Sequence, residues 1–587
     1  VPTPRHTAPT DPDLPQATRP ASRRWRQALR LTRWGLALGA MGCAGVVGEA
    51  GGPDGVGDDG RPPPGEDPGE VELLPDGDPE RVPVDPLVRR LTADEMVFTL
   101  EDLFGIDLSP AETRPLPVDR PLDGFVNTAT GQTVAPEHVL GYDAVAETVV
   151  GTRGFRDFVA ERVTCAELSE DCGGELVDVL GAALFRRPLG DRELQDFVGL
   201  FTEVAGFDGV TFAEAAGAVG RAMLQSPQFL YRIELELADV DGLRRVSGYE
   251  MASRLSYLLW ASAPDEVLYE AARNGELDTA EGILAQVDRM LGDEAKTRRV
   301  LERFLVDWGR LSNLPDDDGL RDELIASATA FYVDHVGREA PLFDLFDTRR
   351  AVLTPELARR YGLEPQGDGP RIYDLSDVSG RGGVLTQPGV LAGMTNADGG
   401  AIVARGLFLL GQVFCGDVPD PPPSLQEDID RFVDDLPPDA SDRFVAETRL
   451  ERRDCGSCHR GFDPLAYAFE RFDFRGAYRD RDEYGNELRT DGWFPAGLAG
   501  DPTQEAPYEG VDDYLELLRG SPRAQRCFVR RQVEYALGAR LDRDQDPIID
   551  LFRDELGAGE GTWEALLRVL VVDDLFRAMP VQRRNGR

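Results

Sequence analysis

Lysine is almost missing from this chain of 587 residues: Lys296 stands alone, and arginine supplies the rest of the basic side chains. Lys and Arg together number 64 against 106 Asp and Glu, a formal net charge of −42. A surface of that sign repels nucleic acid and anionic membranes, which argues against both as partners. Long apolar runs are absent after the first 50 residues, and none approaches the ~20 apolar residues that a permanent membrane span requires. The motifs of nucleotide and hydrolase chemistry are missing too: there is no P-loop, no G-x-S-x-G elbow and no H-E-x-x-H. Histidine is scarce, with 4 residues, and so is cysteine, with 7. Strand signals are few. What remains plentiful is core material, since 41% of the residues are hydrophobic, enough for three or four domains.

Against that scarcity, two cysteines and a histidine fall within five positions, Cys455-Gly456-Ser457-Cys458-His459. Two thiols separated by two residues reach the two vinyl groups of one porphyrin, and the histidine that follows presents its imidazole to the iron. This C-x-x-C-H spelling is that of a covalent c-type haem, with His459 as the proximal ligand. Three other readings stand beside it. A zinc site needs a second close pair of ligands, and Cys415 and Cys527 are single and distant. A redox disulfide prefers a strand-to-helix turn, whereas FVAETRLERRD before Cys455 reads as a helix. A structural disulfide over two residues is strained.

Haem of this kind is attached outside the cytoplasm, and the N-terminus is consistent with export. Residues 1–42 carry seven Arg against two Asp, and an apolar run from Trp34 to Met41 leads to Gly42-Cys43. That is a signal-peptide layout. Gly before Cys resembles a lipobox, which makes Cys43 the expected lipidated residue; cleavage near Ala50 is the alternative. Without this leader of +5, the remaining charge is −47. Residues 44–86 are Gly, Pro, Asp and Glu and read as a disordered acidic tether. In an exported chain the pairs Cys165–Cys172 and Cys415–Cys527 are expected as disulfides, with free buried thiols as the alternative for the second.

From Leu91 onward helical periodicity dominates. Thr92 caps a helix ending at Gly105; further helices are predicted at 155–168, 174–185, 190–204, 211–225, 249–260, 280–292, 295–310 and 319–338. The clearest strand signal is 477–494, a hairpin turning at Tyr484-Gly485-Asn486. The fold class is therefore mainly α, in serial helical modules with a small hairpin near the C-terminal end.

Several blocks carry a family resemblance: LTADEMVFTLEDLFG (91–105), LFRRPLGDRELQDFVGLF (184–201), MLQSPQFLYRIE (223–234) and YEMASRLSYLLWASAPDEVL (249–268). RGGVLTQPGVLAGM (381–394), RGLFLLGQVFCGDVPDPPP (405–423), CGSCHRGFDPLAYAFERFD (455–473) and CFVRRQVEYALGARL (527–541) continue the series. In this order they resemble a secreted multi-module family of planctomycetes and myxobacteria, made of serial domains of unknown function with a cytochrome-c-like C-x-x-C-H. The resemblance implies a haem c protein and no particular reaction. Where the family has Ser-Pro before Arg-Gly, this chain reads NADGGAIVARG (396–406), so nothing assigned to that Ser-Pro carries over. The expected divisions are a signal (1–43), the tether (44–86), helical modules at 87–150, 151–240 and 241–375, the haem-attachment module at 376–500 and a C-terminal helical module at 501–587.

Around the motif, Asp463-Pro464 reads as a helix start, with Asp463 as the cap. Leu465, Phe469 and Phe472 then follow at helical spacing, as an apolar wall for the porphyrin or as plain core. A carbonyl near Pro464 is expected to hold the second imidazole nitrogen of His459. No methionine follows closely, so the sixth ligand is sought in Met394, His335 or His138, with Met394 first. Two firm axial ligands mean electron transfer, and an open position means catalysis. The expected function is an envelope electron carrier with a redox partner protein, linked to a periplasmic or extracellular oxidation and held at a membrane only by its lipid. A peroxidase-like haem enzyme, or a haem-free envelope scaffold, are the alternatives.

Overall fold

The computed structural model describes residues 88–580, apart from 123, 235–237, 241–242, 316–318, 396–400, 419–427, 430, 433–434 and 558–560. The leader, the tether and Cys43 lie outside the described residues.

Helix boundaries follow local capping chemistry. Thr92 Oγ1 accepts the Glu95 N–H at 3.2 Å while Glu95 Oε2 accepts the Thr92 N–H at 2.8 Å, starting helix Ala93–Phe104. Gly105, at φ 59°, closes it in a left-handed conformation that costs glycine little. The same reciprocal cap, Thr211 with Glu214 and Ser247 with Glu250, opens helices Phe212–Leu224 and Gly248–Trp260. Two boundaries differ from the periodicity. The helix expected over 155–168 spans Arg153–Arg162, because Thr152 caps it early and Val163 turns to extended backbone. The next begins at Glu170, capped by Ser169 on the Cys172 N–H, so Cys172 sits in its first turn.

Strands are confined to small antiparallel sheets. Arg89–Arg90 pairs with Tyr231–Arg232, and Arg350–Leu353 with Arg371–Asp374. Ala238–Val240, Leu243–Arg245 and Ala578–Pro580 form a three-stranded sheet. The expected hairpin at 477–494 turns where the sequence places it but is held by a bridge and not by a strand ladder. Around Tyr484-Gly485-Asn486 there is one bridge, Arg481 to Glu487, and the Asp482 carboxylate accepts the Tyr484 and Asn486 N–H groups. The ladder lies further on, between Gly492–Phe494 and Ala506–Tyr508.

Among the described residues two large hydrophobic cores form, with a small third cluster of Ile402, Ala446, Ala466 and Tyr467. One gathers residues 91–230 with Tyr257, around Leu100, Leu176, Phe201 and Phe229. The other gathers Phe125 with residues 251–576. At its centre Phe528, from helix Pro522–Leu537, meets Phe304, Trp308 and Phe346 edge-on, with centroids 5.5–6.1 Å apart. Residues from the ranges 241–375, 376–500 and 501–587 thus share one interior. Cα atoms of Cys415 and Cys527, 5.4 Å apart, carry a disulfide that fastens this helix to the chain leading to the C-x-x-C-H segment. Cys165 and Cys172 are also bonded. Among the described residues no helix is long and apolar enough to cross a membrane.

Candidate haem-attachment site

Helix Asp442–Glu451 ends at Arg452, and a second short helix, Arg453–His459, starts at once. The second packs on the first through Gly456, where a Cβ atom would lie 2.4 Å from the Leu450 carbonyl oxygen. The first residue between the two cysteines is therefore small because another backbone occupies its place. Cys455 and Cys458 stand one turn apart on this helix as free thiols, the first partly buried and the second exposed. The other four described cysteines are bonded in pairs.

His459 is one-quarter exposed, its ring 4.7 Å from that of Phe462. Its Nδ1 lies 3.1 Å from Asp463 Oδ1, and the completely buried Asp463 carboxylate also accepts from Arg449 Nη2 at 2.8 Å. A carboxylate held by a guanidinium offers only acceptor oxygens, so Nδ1 is the donor here and Nε2 is the nitrogen turned to any ligand. This corrects two expectations. Asp463 makes no cap hydrogen bond, because its oxygens are already taken. The Pro464 carbonyl accepts from the Tyr508 hydroxyl instead of from His459. The carboxylate was missed although the H-x-x-x-D interval, one helical turn, was legible in the sequence.

Leu465, Phe469 and Phe472 are fully buried and belong to the main core, where Phe469 meets Tyr514 and Phe472 meets Tyr478. The stripe is core; the helix expected to carry it is a single turn, Asp463–Ala466, followed by a 3₁₀ turn, Tyr467–Phe469. Arg405 holds this turn from the other side. It is 1% exposed and donates to the Phe469 carbonyl at 2.7 Å and the Asp473 carbonyl at 2.8 Å. Burial lowers it to about 10. Nearby, burial raises Glu470 to about 7; one of its oxygens takes the Arg489 N–H and the other is unpaired.

The three candidates for a sixth ligand are placed as follows. Met394 is enclosed in the main core. His335 is buried with Nε2 3.1 Å from the Pro341 carbonyl, and burial pushes it down to about 4. His138 accepts the Ala135 N–H on Nδ1. Among the described residues no cluster of three or more His, Cys, Asp or Glu could hold a bare metal ion. The donor set at 455–459 instead suits a porphyrin that brings its own nitrogens: two unpaired thiols and one imidazole with its outer nitrogen free.

Four family descriptions match, in order along the chain: PSD3, protein of unknown function (DUF1587), residues 89–153; PSD5, protein of unknown function (DUF1595), residues 172–234. PSD4, protein of unknown function (DUF1592), matches residues 246–363, and PSCyt3, protein of unknown function (DUF1588), residues 381–482. The last contains the C-x-x-C-H helix. No curated protein and no solved structure matches the chain.

Proposed function

Because this chain belongs to the planctomycete-type family of serial cytochrome-c-like modules, we propose that it is an exported haem c protein of the cell envelope that transfers electrons. Cys455 and Cys458 would hold the porphyrin by thioethers and His459 would ligate the iron; the bound haem supplies a one-electron couple. The observation that carries this reading is the C-x-x-C-H helix itself. Its thiols stay free in a chain whose other described cysteines are bonded, and its histidine is oriented by Asp463 through Nδ1, which leaves Nε2 as the nitrogen to ligate. A carboxylate hydrogen-bonded to the imidazole raises its basicity and favours the ferric state. The disulfides favour an oxidising compartment, and a lipid on Cys43 would tether the protein there. A redox partner protein would exchange the electron.

A second reading, a haem enzyme with an open iron position, is favoured by the engagement of His335 with Pro341 and by the enclosure of Met394 in the core. The test is a pyridine haemochrome spectrum of protein exported from a host with cytochrome c maturation, beside a Cys455→Ala/Cys458→Ala control. A covalent haem band lost in the control is expected. Carbon monoxide binding to the ferrous protein then separates the readings: no spectral change fits the carrier, rapid binding the enzyme. A folded, exported protein without haem overturns both.

A further inference from the structure

Where the two cores meet, a cleft enclosing about 200 Å³ is lined by residues from both. Two arginines enter it from one ribbon. Arg89 and Arg232 are direct cross-strand partners, and like charges placed opposite each other on a two-stranded ribbon repel. The neighbouring arginine shows what a satisfied position looks like: Arg90 has the Asp119 carboxylate, the Leu91 carbonyl and the Tyr142 hydroxyl. Arg299 and Arg303, on the far wall, are likewise paired, with Asp102 and with Asp94.

Arg89 and Arg232 have no such partner among the described residues. Among the described residues the side-chain hydrogen bond of Arg89 is a long one, 3.5 Å, to the Ala536 carbonyl. Arg232 is 8% exposed and donates no side-chain hydrogen bond to the described residues; its guanidinium lies 4.9 Å from the centre of the Tyr257 ring. Glu95 and Glu234 act on both arginines through their charge, but their hydrogen bonds go elsewhere: Glu95 accepts the Thr92 N–H, Glu234 pairs with Arg254, and Glu302 pairs with Arg298. Burial and then Arg232 lower Arg89 to about 9, and burial lowers Arg232 as well. Two adjacent guanidinium groups, desolvated and with no carboxylate hydrogen-bonded to them, carry a cost that an anion between them relieves.

The rest of the lining selects the kind of anion. Phe98, Val126, Leu258, Val306 and Tyr535 give the wall apolar and aromatic surface beside the carboxylates of Asp94, Glu95 and Glu302. A lined cavity of roughly 150 Å³ takes a benzene ring, so this one has room for a ring and one acidic group. We propose that this cleft binds a small organic carboxylate, an aromatic acid or one of similar bulk, with its carboxylate between Arg89 and Arg232 and its body against Phe98, Tyr257 and Tyr535. Guanidinium forks match a planar carboxylate in two parallel hydrogen bonds, and aromatic walls exclude water from the pair.

The test is calorimetric titration of the full exported protein with benzoate, with benzyl alcohol and with inorganic phosphate at equal ionic strength. Saturable binding of benzoate is expected, at least tenfold tighter than either of the others. Arg232→Gln and Arg89→Gln are each expected to weaken benzoate at least tenfold with an unchanged circular dichroism spectrum. Val306→Phe, which fills the cleft and leaves both arginines, is expected to abolish binding and keeps the test decisive if an arginine variant fails to fold. No benzoate binding, binding indifferent to all three substitutions, or phosphate bound as tightly as benzoate would each overturn the proposal.

Discussion

Removing the two disulfides one at a time should have very unequal consequences. Cys165 and Cys172 are 7 residues apart, and Cys415 and Cys527 are 112 apart. If a cross-link acts mainly by restricting the unfolded chain, the loss grows with the logarithm of the loop, about 2 kcal/mol for the first and about 5 kcal/mol for the second. The longer bridge also joins two parts of the main core, where the sulfur of Cys527 is buried, so its removal should loosen the packing of Phe528 against Trp308. The assay is urea unfolding of Cys165→Ala/Cys172→Ala and Cys415→Ala/Cys527→Ala beside the parent. Ellipticity follows the whole chain, and tryptophan emission follows the main core, which holds Trp260, Trp308 and Trp563. The long-loop variant is expected to lose at least twice as much stability, with its emission midpoint falling furthest. The short-loop variant should leave that emission midpoint nearly unchanged, since Cys172 belongs to the other core. Equal losses, or a larger loss from the short loop, would refute the reasoning.

Three further outcomes are expected. Gly456→Ala must push the C-x-x-C-H helix off Leu450, at ~1–3 kcal/mol of local strain, so haem content per folded protein should fall while exposed Ser457→Ala leaves it unchanged. Asp463→Asn removes the charge behind His459, and the midpoint potential of the haem-loaded protein should rise; a potential equal to the parent's would show that the carboxylate does not act through the imidazole. Glu470 titrates at about 7 when folded against 4.5 in the open chain, because burial disfavours its charged form, so the native state binds the extra proton between those values and stability falls as pH rises through that window. Glu470→Gln should therefore gain up to about 3 kcal/mol on the parent between pH 4.5 and pH 8, read from urea midpoints, and a gap that does not change with pH would contradict the assignment.

Much of the architecture was legible before any coordinates. Thr92, Thr211 and Ser247, each followed three residues later by Glu, announce helices because both halves of the cap lie within one turn of chain. The mainly helical class follows from the same short-range rules. The readings that the sequence left open have a common cause. Leu465, Phe469 and Phe472 have helical spacing whether they face a cofactor or a core, and only the position of Tyr514 and Tyr478 decides between the two. Residues 477–494 alternate like a hairpin, but Asp482 hydrogen-bonds its own turn and the ladder forms where Tyr508 finds a strand to pair with.

What the sequence by itself determined is therefore local chemistry: the two thiols and imidazole at 455–459, the helix caps, the sign of the surface and the family to which the blocks belong. Tertiary structure decided which groups meet. It set Arg449 against Asp463 to orient His459, threaded Phe528 into a core built from three sequence ranges, and laid Arg89 beside Arg232 across 143 positions of chain. Caps and motifs act over a few residues, where the chain itself enforces proximity. Those pairings are enforced only by the packing of two cores, whose energy depends on the whole chain at once.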